Sequence, residues 1–99
     1  MNFTQVRLAV PNWTLAELQE GINVVESSGR VLLAISRFTA VGNIRTTALT
    51  FEFTGTAPSS SVRLMAYDGI TLPDLGGRKA ICIGQCVLEG NDGHVVAAR

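Results

Sequence analysis

The segment Trp13-Thr14-Leu15-Ala16-Glu17-Leu18 carries two overlapping signals for a helix start, on a chain that otherwise alternates like β-strand. The Thr14 side chain is placed to accept a hydrogen bond from the Glu17 amide while the Glu17 carboxylate reaches back to the Thr14 amide. Trp13 and Leu18 are spaced to clamp across the same turn. One fixed helix start among strands points to an α+β fold. We expect a mainly antiparallel β-sheet of about five to seven strands, with one helix from the N-terminal half packed on it.

The end of that helix has two readings. Leu15, Leu18, Ile22 and Val25 keep helical spacing, which carries the helix to about Ser27 and stops it at Gly29. Alternatively, Gly21 closes a short helix at Glu20 and leaves residues 22–26 as a strand, a choice favoured by their β-branched cluster. Both readings stay open at this level.

Residues 3–10 alternate with Val6, Leu8 and Val10 on one side, as in a half-buried strand. Residues 30–41 and 44–56 form the best hairpin, joined by Gly42-Asn43 as a two-residue turn. That turn sets Leu32 opposite Phe53 and Ala34 opposite Phe51. It leaves Val31, Leu33 and Ile35 on the second face, where another layer or another subunit must cover them. A bulge near Thr39 would instead reunite the large apolar groups. Residues 62–67 alternate again, residues 80–88 read as a buried strand, and 94–98 close the chain after a turn at Gly90-Asn91-Asp92-Gly93.

Ninety-nine residues with 46% hydrophobic content suit a single domain over 1–99 with one core. Eight basic residues balance eight acidic ones, so the excess of positive charge on which phosphate neutralisation depends is missing and nucleic acid is an unfavoured partner. The charges are segregated, with Glu17, Glu20 and Glu26 in the helical segment and Arg30, Arg37, Arg45 and Arg63 in the strands that follow. This arrangement suits attraction within the domain or between subunits. The longest apolar run, Val31 to Ile35, is far too short to span a bilayer, and residues 1–5 do not start like a signal peptide. The expected location is cytoplasmic, with both cysteines reduced.

Few groups point to chemistry, and the chain reads as non-enzymatic. On a strand, Cys82 and Cys86 stand about 13 Å apart, which excludes both a mutual disulfide and a shared metal. With a single histidine no metal or cofactor site is expected. Cys86 with His94, or Asp68 with Asp74, are the only pairings that an enzyme reading has to draw on. The connection Asp68–Lys79 is the first place to look for binding. Gly76 and Gly77 offer backbone amides there, Arg78 and Lys79 offer adjacent cations, and Asp74 lies beside them.

The expected function is therefore a small protein-interaction or structural module, forming a homo-oligomer and docking to an unidentified protein partner. The alternative is a small-molecule site, for an anion in particular, in a pocket between helix and sheet with Trp13, Tyr67, Arg78 and Lys79 near its mouth.

Overall fold

The computed structural model describes residues 5–10 as backbone and residues 12–99 in full. In chain order the elements are β1 (Gln5–Val10), α1 (Leu15–Ser27), β2 (Arg30–Ala40), β3 (Ile44–Phe53), β4 (Arg63–Tyr67), β5 (Ala80–Leu88) and β6 (Asn91–Ala98). The fold is α+β and antiparallel, with one helix as expected. The strands form two three-stranded sheets rather than a single one, ordered β1-β3-β2 and β4-β6-β5. The facing of Val6, Leu8 and Val10 lies outside the described residues.

Both halves of the cap form: the Glu17 amide donates to Thr14 Oγ1 at 3.1 Å and the Thr14 amide donates to Glu17 Oε1 at 3.0 Å. The helix continues past Gly21 to Ser27, so residues 22–26 are not a strand. Its glycine has a steric cause. A Cβ on Gly21 would sit 2.6 Å from the Trp13 ring, which lies across the helix there. Leu18 and Ile22 are fully buried below, so packing of the apolar stripe outweighs the roughly 1 kcal/mol that an internal glycine costs.

The β2–β3 hairpin corrects the expected register. Ala40 pairs with Ile44 across a three-residue turn, Val41-Gly42-Asn43, in which Gly42 and Asn43 both have positive φ. The bulge falls at Leu33, not near Thr39, and it sets Leu32 opposite Phe51 and Ile35 opposite Leu49. These four side chains reach the same core, at most 4% exposed. A bulge makes residues three apart share a face, so Leu33 is turned outward and stays 38% exposed.

The two sheets meet where their edge strands β2 and β5 cross. A Cβ on Gly84 would lie 2.0 Å from the carbonyl oxygen of Ile35, so the strands touch backbone to backbone at that point. Further along β5, Thr47 of β3 inserts its hydroxyl between the layers. The Val87 amide donates to Thr47 Oγ1 at 2.8 Å, and that hydroxyl donates to the Val87 carbonyl at 3.3 Å. On the far edge of the second sheet Gln19 of α1 does the same work. Its Nε2 donates to the Val62 carbonyl and its Oε1 accepts from the Leu64 amide, both at 2.7 Å. In each case a side chain supplies the donor and acceptor that a missing neighbour strand would have offered.

The chain crosses from β4 back to β5 through residues 68–79, over the outer face of the second sheet. A Cβ on Gly69 would come within 2.7 Å of the His94 ring, which points to that face. Strand β5 is not buried throughout: Ile81 and Ile83 remain 37% and 52% exposed, while Cys86 and Val87 are enclosed.

Two stability effects follow from this packing. Replacing Thr14 by Ala removes one half of the cap and is expected to cost about 1 kcal/mol in urea denaturation. Gly84→Ala forces the sheets apart at backbone, which no rotamer change relieves. It is expected to cost more than about 3 kcal/mol or to prevent folding.

Candidate functional site

The residues singled out in the sequence fall in separate places. Trp13 lies over α1, half-buried, with its carbonyl accepting from the Glu89 amide at 3.1 Å. Tyr67 closes β4 and its ring meets that of His94, centroids 5.9 Å apart and tilted by 59°. Asp74 holds the Gly76 amide at 2.9 Å, so one of the two glycine amides considered for an anion is engaged by a carboxylate of the same turn. Gly76 and Gly77 are exposed and have positive φ. The Arg78 guanidinium donates to the Ser61 carbonyl at 3.2 Å. Lys79 is held through its backbone, which exchanges hydrogen bonds of 3.2 and 2.9 Å with Arg99.

A groove does lie between helix and sheet. It is open, about 510 Å3, and runs between α1 and the start of β4, with Leu15, Gln19, Arg63, Leu64 and Arg78 among its walls. Arg78 is the one member of the expected mouth that lines it. Arg63 belongs to it as well and was not singled out as a site residue. The available signal was its position on an alternating strand that ends a loop, next in space to the 78–79 cations only once the crossover is traced.

The candidates for acid–base and thiol chemistry are placed apart or occupied. Cys86 pairs across the hairpin with Gly93, and His94 pairs with Gln85. Cys86 and His94 therefore sit one residue out of phase and point to opposite faces. Cys86 has no exposed surface, and burial, with Asp92 as a lesser cause, pushes its thiol up to about 11. Cys82 is raised too, by burial, against a hydrogen bond from the Ile35 amide that lowers it. Asp68 is lowered, first by the Thr71 amide and then by the Ile70 amide, at 2.9 and 2.8 Å, so its charge serves to fold its own turn. Among the described residues no three His, Cys, Asp or Glu side chains gather closely enough to hold a metal ion. No described helix is long and apolar enough to cross a membrane.

Among the described residues the helix carboxylates and the strand arginines do not pair with each other; each set finds its partners elsewhere. Arg37 and Arg45 both reach Asp92, at 2.6 and 3.0 Å, tying the β2–β3 hairpin to the β5–β6 turn. Glu26, 4% exposed at the end of α1, receives Arg99 at 2.5 Å and the Leu32 amide at 2.8 Å. The chain matches no family profile, no curated protein and no solved structure.

The thiol assignment has an alkaline signature. Raised in the folded state from an ordinary 9.0, the Cys86 thiol stays neutral while that of the unfolded chain ionises. Its contribution is whole below pH 9 and is lost as the pH climbs toward 11. Chemical denaturation over that range is expected to show this loss, and Cys86→Ala is expected to flatten it. Glu26→Gln leaves Arg99 without its counter-charge, at an expected cost of about 2–4 kcal/mol in the same measurement.

Proposed function

We propose that this protein is a non-enzymatic docking module that associates with a second copy of itself around the crossing of β2 and β5. The observation that carries the reading is the exposure of Ile83, 52% on an edge strand. Leu33, pushed outward by its bulge, and Ile81 are within two or three residues of the same crossing and are also more than a third exposed. Large apolar groups left exposed on edge strands are costly to leave in water and favour association. The reading gains further support from Cys86 and His94, which face away from each other, and from Asp68 and Asp74, whose carboxylates are engaged by amides of their own turns.

The test is sedimentation velocity over a dilution series. The wild-type chain is expected to sediment above its monomer mass at micromolar concentration. Ile83→Lys and Leu33→Lys are expected to shift it to the monomer with thermal midpoints close to wild type, since both side chains are exposed. A wild-type chain that stays monomeric through the whole series overturns the proposal.

A further inference from the structure

A second surface, of different chemistry, follows the free edge of β4, a strand that pairs with β6 alone. Besides the groove toward α1, a further depression of about 400 Å3 opens toward residues 74–76, and the two share Arg63 and Arg78. Arg37, Arg45 and Arg99 each reach a carboxylate, and Arg30 lies over the Phe53 ring. Arg63 makes no ion pair or side-chain hydrogen bond among the described residues, and Arg78 reaches only the Ser61 carbonyl. The helix lends the groove neutral side chains, with Glu17 held in the cap. Asp74 stands at the loop end, where it grips Gly76. Two guanidinium groups thus face one carboxylate.

The backbone of this edge is partly open. Because the Leu64 amide turns away from β6 toward Gln19, the alternation of an antiparallel strand also turns the amide and carbonyl of Ala66 outward. Side chains alternate along the same edge: Arg63 and Met65 stand on the outer face and Leu64 on the inner face beside Leu15. We infer that the β4 edge takes up an extended acidic segment of a partner protein. Its backbone pairs at Ala66, every second residue is a carboxylate directed to Arg63 and Arg78, and the residues between are apolar and rest on the half-buried Leu15. A second copy is a poor occupant, because its own β4 brings the same arginines. Nucleic acid is disfavoured as well, since the groove holds no aromatic ring for bases to stack on and only two arginines for phosphates.

The test uses the full chain and a fluorescein-labelled peptide of about eight residues alternating Glu and Val, beside Lys/Val and Gln/Val versions and an oligothymidylate. Fluorescence anisotropy is expected to show binding of the Glu/Val peptide alone, weakened by added salt. Arg63→Glu and Arg78→Glu are each expected to weaken it about tenfold or more. Ala66→Pro removes an outward amide that no ladder bond uses, so it is expected to weaken binding several-fold with the fold retained by circular dichroism. Amide shifts in a heteronuclear NMR titration are expected at Arg63, Leu64, Ala66, Arg78 and the Gln19 side chain.

Equal binding by the Lys/Val peptide, unchanged affinity in both charge reversals, or uptake of the oligothymidylate instead overturns the inference. Sedimentation of the same samples separates this from the self-association proposal. An oligomer that ignores the Glu/Val peptide sinks the inference alone, and a monomer that binds it sinks the self-association alone.

Discussion

The contact of Gly84 with the Ile35 carbonyl sets the architecture, because it brings two edge strands together where no side chain fits between them. Edges that cross so closely cannot continue one hydrogen-bonded ladder, so the strands separate into two sheets and enclose a core between them. The bulge at Leu33 belongs to the same constraint. It changes the phase of β2 just before the crossing, delivering both Leu32 and Ile35 to the interior. Its consequence is Leu33 in water, so the device that completes the core also creates part of the exposed apolar surface.

Sheet edges leave backbone groups that a further ladder would have satisfied, and polar side chains from the facing layers take them up. Thr47 serves both polar groups of Val87, Gln19 serves Val62 and Leu64, and Glu26 takes the Leu32 amide while holding Arg99. These side chains are where the helix and the two sheets become one unit. Each is a polar group in a poorly hydrated place, where a partner is needed and its loss is costly. Among the described residues, no side chain takes up the outward groups of Ala66 in this way.

Much of the fold was legible in local chemistry. Thr14 and Glu17 named the helix start because a capping box involves residues three apart and nothing else. The strand alternation around Leu49, Phe51 and Phe53 and the strand setting of Cys82 and Cys86 were likewise local. The persistence of the helix through Gly21 was not, since it depends on the burial of Leu18 and Ile22 against the sheets, while the glycine itself makes room for the Trp13 ring. The hairpin register escaped for a similar reason: a two-residue and a three-residue turn read alike in Gly42-Asn43, and the burial of Leu32 with Phe51 decides between them. For the candidate site, Arg78 was legible from its loop, whereas Arg63 emerges only when the 68–79 crossover is folded back onto β4.

The amino-acid sequence by itself determined an α+β chain: where its helix begins, which residues alternate as strands, and that its charges balance. Those properties rest on interactions within a few residues. The division into two sheets, the pairing of Asp92 with two arginines and of Glu26 with Arg99, and the grouping of Arg63 with Arg78 were decided by tertiary structure alone. They join residues far apart in the chain, which no interaction within a few residues can bring together.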